Sequence, residues 1–247
     1  MNAPLPLKIT QALKATAYDD VATVSNEVAG QLAAQLASHT QGDVLFSPAD
    51  KGRYATDASI YQVMPVGVFV PRSTDDVKTA LNICPRLAVP IVPRGRGTSQ
   101  CGQTVGVGLV IDHTKHVRHI LNVDAEARTA TVERGIVLDH LNADLEKYGL
   151  WYPVDVSTSA QATLGGMAGN NSCGSRSIAY GNMVHNVQMA ELSLLPAVRQ
   201  QPGAIVVADG TSCRHQIRDS AQREAIHVTV LLAQQLKAPL AAKRLKI

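Results

Sequence analysis

Pro93-Arg94-Gly95-Arg96-Gly97-Thr98-Ser99-Gln100-Cys101-Gly102-Gln103 decides the reading of this chain, together with a second segment some sixty residues later, Ala162-Thr163-Leu164-Gly165-Gly166-Met167-Ala168-Gly169-Asn170-Asn171-Ser172-Cys173-Gly174-Ser175. Glycine has no Cβ, so it lets the backbone turn tightly and approach a ligand closely. Successive backbone N–H groups in such a turn form an anion-binding nest. Arg94 and Arg96 add positive charge to the first segment, and Thr98 and Ser99 add hydroxyl donors. Hydrogen bonds to a charged group contribute roughly 1.5–3 kcal/mol each, so a few of them hold a diphosphate without a metal. The two segments read as one cradle.

Spacing excludes the two commonest nucleotide motifs. A Rossmann fingerprint is G-x-G-x-x-G between a strand and a helix. Here Gly95 and Gly97 are followed by Gly102, and the sequence continues into a second strand-like stretch, Val107 to Ile111, rather than a helix. A P-loop requires Gly-Lys-Ser/Thr, and Lys78 is the only lysine between Lys51 and Lys115. Either segment alone is equally consistent with a glycine-rich turn in an ordinary α+β domain.

Around the segments the periodicity is mixed. Val21, Val24, Val28, Leu32 and Leu36 recur at helical spacing, predicting a helix over 20–38 ended by Thr40-Gln41-Gly42. Ser73-Thr74-Asp75-Asp76 opens a second helix that Pro85 stops. Strands over 66–70 and 88–92 flank that helix and lead into the first glycine segment. Residues 118–123 and 128–133 predict a hairpin. A helix over 136–148 places Leu138, Leu141, Leu145 and Tyr148 on one face, with Gly149 at its C-terminal end. A strand over 204–208 and a helix over 219–236 complete the pattern.

The 247 residues are 45% hydrophobic but only 4% aromatic, so the core is built from aliphatic side chains. A formal net charge of +3 is too small to argue for nucleic acid, and the terminal Lys243, Arg244 and Lys246 read as a solvated tail. No apolar run approaches the roughly 20 residues a membrane helix needs. Residues 1–20 lack the apolar stretch of a secretory signal. Together these predict a cytoplasmic protein. Cys84, Cys101, Cys173 and Cys213 form no C-x-x-C pair, so no metal site is expected. Cys101 and Cys173 are expected to be small buried residues. His113, His116 and His119 would share a side only on a helix, and their segment has strand and turn character.

The ordered set of motifs resembles a known family. Arg53-Tyr54-Ala55-Thr56-Asp57-Ala58-Ser59-Ile60-Tyr61, the first glycine segment, Tyr152-Pro153-Val154-Asp155-Val156-Ser157, the second glycine segment and Tyr180-Gly181 are similar to the PCMH-type FAD-binding domain of the vanillyl-alcohol oxidase superfamily. The similarity is to its D-lactate, glycolate and D-2-hydroxyglutarate dehydrogenase branch. It implies an α+β fold with two α/β subdomains, the second incomplete. It also implies FAD as cofactor. The implied contacts are Arg94, Gly95, Arg96, Gly97, Thr98, Ser99 and Gly102 in the first segment and Pro153, Asp155 and Ser157 between the segments. In the second they are Thr163, Gly165, Gly166, Gly169, Asn170 and Gly174. Some relatives attach FAD through a histidine of the first loop; this loop has none, so the cofactor is expected to be non-covalent.

The same resemblance implies three regions: an N-terminal helical segment over 1–52, the FAD-binding domain over 53–189, and a remnant over 190–247. That last region, with Gly210-Thr211-Ser212-Cys213-Arg214, resembles the end of the iron–sulfur domain of long members. Two ends of a longer protein would then join near Met189 to Leu192, without the substrate domain, and no catalytic residue is assigned. The implied activity is oxidation of a small 2-hydroxy acid with delivery to an electron acceptor. The alternative is an FAD- or nucleotide-binding module, or an inactive gene remnant without turnover.

Overall fold

The computed structural model describes residues 24–188. The expected strand over 204–208, the helix over 219–236 and Cys213 lie outside them.

The first unit begins with α1 (Asn26–His39), where Ser25 caps the helix by accepting from the Val28 N–H at 3.2 Å. Leu32 and Leu36, one turn apart, are fully buried. The helix stops at Thr40, whose N–H and hydroxyl both return to the Leu36 carbonyl. Next come β1 (Asp43–Leu45), α2 (Pro48–Arg53) and β2 (Gly67–Val70). Along β2 the side chains alternate between faces. Phe69 joins Leu32, Leu36, Ala80, Ile83, Leu109 and Ile111 on one face, and Val68 and Val70 pack with Val110 on the other. Full burial of each large aliphatic or aromatic side chain contributes roughly 1.5–3 kcal/mol.

Helix α3 (Thr74–Arg86) is capped by Ser73 and carries Asp75 and Asp76 in its first turn. The buried Asp76 carboxylate accepts from the backbone N–H groups of Gln41 and Arg72, joining the end of α1 to the start of α3. Pro85 lies inside the last turn rather than ending the helix one residue earlier. The following strand, β3 (Ile91–Arg94), starts later than the predicted 88. Ala88 has φ +52° and its N–H returns to Pro85, so the chain is still turning there.

β3 is followed by β4 (Leu109–Asp112), and the sheet order is β1-β2-β4-β3. β1 is antiparallel to β2, and β2, β4 and β3 are parallel, with Arg94 opposite Asp112. Pro93 sits on an edge strand, where its missing N–H costs no ladder bond. Adjacent parallel strands need a crossover of about a dozen residues or more. Residues 95–108 are that crossover, so the first glycine segment leaves the carboxyl end of a parallel strand. Open α/β sheets bind ligands at that edge.

The second unit starts with the hairpin β5 (Ile120–Asp124) and β6 (Thr129–Val132), turned by Arg128 at φ +54°. Helices α4 (Leu138–Glu146), α5 (Leu164–Gly169), α6 (Ser177–Tyr180) and α7 (Met183–Asn186) follow. Its core joins Ile136, Leu138, Leu141, Leu145, Val154, Leu164, Met167 and Met183. Tyr148 departs from the predicted face: α4 ends at Glu146, and Tyr148 is exposed with the Lys147 ammonium over its ring.

Candidate functional site

Three corrections to the sequence reading define the site. The first concerns Arg94, expected to meet an anion. Its side chain is buried, and its guanidinium donates to the carbonyls of Thr56 at 2.7 Å, Tyr54 at 3.1 Å and Thr104 at 3.2 Å. It also lies over the Tyr54 ring, and burial lowers its pKa. Arg94 therefore fastens the Tyr54–Thr56 stretch, which follows α2, to the base of the crossover. Asp57 assists by accepting from the Thr104 hydroxyl and the Ser59 N–H, and Ala58 donates to the Gly97 carbonyl.

The second concerns the glycine nest of the later segment. It is not an open loop but the short helix α5, with Thr163 at its N-cap. The Leu164 and Gly165 N–H groups donate to the carbonyls of Ile136 and Arg134, and the Gly166 N–H faces the Thr163 hydroxyl. These donors are satisfied within the fold. By contrast, the backbone N–H groups of Gly95 to Ser99 have no acceptor among the described residues. The free nest belongs to the first segment alone.

The third correction is that Cys101 and Cys173 are exposed, not buried. Both sit on the outer turns of the glycine segments, where no core packs over them.

The two segments do meet. A Cβ at Gly95 would run into the Thr163 hydroxyl oxygen, so only glycine lets the crossover lie against the α5 N-terminus. The Gln103 side-chain amide donates to the Asn170 Oδ1 at 3.4 Å across the pair, and its Oε1 accepts from the Ser99 hydroxyl. Gly97 has φ +69°, and Gly102 has φ +72°. Thr98 and Ser99 are half-buried, while Arg96, Gly166, Gly169 and Asn170 are exposed along this junction.

Asp155 is engaged elsewhere. Its carboxylate accepts from the Ser175 hydroxyl at 2.6 Å and the Arg176 N–H at 3.0 Å, and these bonds hold it below the usual carboxylate range. It thereby holds the turn containing Gly174, whose N–H donates to Ser177. Pro153 is half-buried and Ser157 is exposed on the approach to this turn. His185 caps α7 by accepting from the Asn182 N–H. His119 pairs with Glu133 and His116 lies 3.7 Å from Asp43, so the three spaced histidines go separate ways. Sequence reasoning missed the Tyr54 hydroxyl, which donates to Asp112 at 2.7 Å. The partners are distant in sequence and carry no local signal.

A free nest at the carboxyl edge of a parallel sheet, closed by a second glycine segment, suits a diphosphate-bearing cofactor. A family model described as the FAD binding domain matches residues 65–196, more than half of the chain. The chain belongs to that family. The domain is thus of the PCMH type, and its cofactor is FAD. The FAD-binding domain is 39% identical over 149 residues to a D-2-hydroxyglutarate dehydrogenase of Pantoea ananatis, covering 59% of the chain and 15% of the relative. It is 44% identical over 142 residues to the glycolate oxidase subunit GlcD of Bacillus subtilis, covering 55% of the chain and 30% of that protein. The match thus spans less than a third of either relative. A solved alkyldihydroxyacetonephosphate synthase superposes with TM-score 0.57 at 22% identity over 62% of the chain and 31% of its own. That likeness supports the two-unit α+β fold.

Proposed function

We propose that this domain binds FAD non-covalently for the oxidation of a D-2-hydroxy acid, with Gly95 to Ser99 holding the diphosphate. The observation that carries the reading is the run of unpartnered N–H groups on the crossover, lying against the Thr163 cap. Gly97 and Gly102 shape the crossover, and Arg94 anchors its base. Arg96, Thr98 and Ser99 supply charge and hydroxyls beside it. Gly165, Gly166, Gly169, Asn170 and Thr163 form the opposing wall, contributing shape more than donors. Pro153, Asp155, Ser157 and Gly174 position the turn beyond it.

The chemistry FAD supplies when bound is acceptance of a hydride; the protein supplies binding, orientation and electrostatics. The relatives' names support a small 2-hydroxy acid as substrate, and an electron acceptor must then reoxidise the cofactor. No catalytic residue is assigned among the described residues. We place the protein in the cytoplasm; no described helix is long and apolar enough to cross a membrane. We also extend the FAD-binding unit, read as 53–189 from the sequence, back to α1, because α1 and β1 share its first core and sheet.

The test is a visible absorption spectrum of the purified chain mixed with FAD, followed by anaerobic addition of D-2-hydroxyglutarate, D-lactate or glycolate. Retained flavin that bleaches with one of these acids supports the full reading. Retained flavin that none of them bleaches leaves a cofactor-binding module without turnover. A chain that retains no flavin overturns the cradle.

A further inference from the structure

A cavity of about 380 Å³ adjoins the crossover on the side of the segment that follows β4. Besides Arg94, which its carbonyl bonds engage, its walls carry three further cations: Arg96 from the crossover, and Lys115 and Arg118 from the segment after β4. None of these three side chains makes an ion pair or hydrogen bond with any described residue. The one carboxylate in the wall, Asp112, is already engaged. It is buried and accepts from the Tyr54 hydroxyl at 2.7 Å and the Thr114 N–H at 2.8 Å, with the Arg94 charge nearby.

Three like charges gathered on one cavity repel one another, and an anion between them relieves that repulsion. Two of the three are guanidinium groups, whose planar forks match the oxygens of a phosphoryl group. Gly95 and Arg96 also line the cavity, and their N–H groups have no acceptor among the described residues. The site therefore combines forked cations, a point charge and backbone donors.

We propose that Arg96, Lys115 and Arg118 form a phosphoryl-anion site that shares Gly95 with the FAD cradle. Two sources of that chemistry fit: the diphosphate of FAD itself, or a separate small phosphate. The first rests on the cofactor reading above, whereas the second does not.

The experiment uses the full chain and the double variant Lys115→Gln/Arg118→Gln, both exposed positions, with folding checked by circular dichroism. The probes are inorganic phosphate at constant ionic strength, FAD, and riboflavin, which lacks phosphate. Phosphate also stabilises proteins by exclusion from their surface. That effect acts equally on both chains, so the difference between parent and variant is what is read. The expected result is a saturable upward shift of the parent's Tm with millimolar phosphate that the double variant loses, or an FAD affinity weakened about tenfold or more in the variant. Weakened FAD with unchanged riboflavin assigns the site to the cofactor's diphosphate. A lost phosphate shift with unchanged FAD assigns it to a separate phosphate. If the parent binds no FAD, the cofactor reading fails while the phosphate titration still decides this one. Superimposable phosphate titrations together with equal FAD affinities overturn the proposal.

Discussion

Gly97 and Arg94 are neighbours whose requirements interlock. A Cβ at Gly97 would stand 2.6 Å from the Arg94 Nη2, and the φ of +69° is strained for a β-branched residue. Gly97→Val is expected to weaken FAD binding by about tenfold or more, equivalent to about 1.4 kcal/mol. Flavin retention on gel filtration and a fluorescence titration check it, and a variant that binds as the parent does removes the crossover from the cofactor site. Arg94→Met should act on stability rather than on charge at the site. Three carbonyls lose their donor, and leaving buried acceptors unsatisfied costs roughly 1–3 kcal/mol for each group that water cannot reach. Urea unfolding should show a loss of several kcal/mol; an unchanged midpoint would mean that water replaces the guanidinium.

At the scale of elements, α5 joins the two units. Thr163 caps it, bridges to Val137 and fills the space opposite Gly95. Thr163→Val keeps the volume and removes the cap, so a destabilisation of about 1 kcal/mol is expected, read from the denaturant midpoint. Flavin affinity should fall with it if the α5 N-terminus is a wall of the site. Most elements were legible in the sequence because their signals are local. Ser73-Thr74-Asp75-Asp76 marked the start of α3, the alternation of 118–133 marked the hairpin, and both were observed. What escaped was tertiary. Leu164–Gly169 reads as a glycine loop, yet packing against Arg134 and Ile136 makes it helical. Arg94 reads as a ligand cation, yet carbonyls from two remote stretches capture it. Both glycine segments were visible from spacing; which of them retains free donors was not, because that depends on partners far along the chain.

At the scale of the whole molecule, one described histidine ties stability to mild acid. His113 directly follows β4, and its Nδ1 is buried and unpartnered. Burial, reinforced by the Arg134 charge, pushes its pKa down to about 4 from 6.5. Above pH 6.5 the imidazole is neutral folded and unfolded alike, so it has no effect on pH dependence. As pH falls from 6.5 towards 4 only the unfolded chain takes the proton, and stability drops by up to roughly 3 kcal/mol. Asp57 and Asp155, whose pKa values are lowered, lose their contributions only below that window. Urea midpoints from pH 7.5 to 4.5 should therefore fall in the parent and flatten in His113→Asn; parallel curves would show that the histidine is not the sensor. The Arg94 anchor has a different consequence for the molecule as a whole. Of its three carbonyl bonds, the one to Thr104 ties down the crossover, and those to Tyr54 and Thr56 fasten it to the stretch before β2. Binding then carries little cost of loop immobilisation, the signature of a preorganised receptor. Amide hydrogen exchange around Tyr54 to Thr56 and Thr104 should be slow already in the flavin-free chain, with FAD changing protection mainly at Gly95 to Ser99.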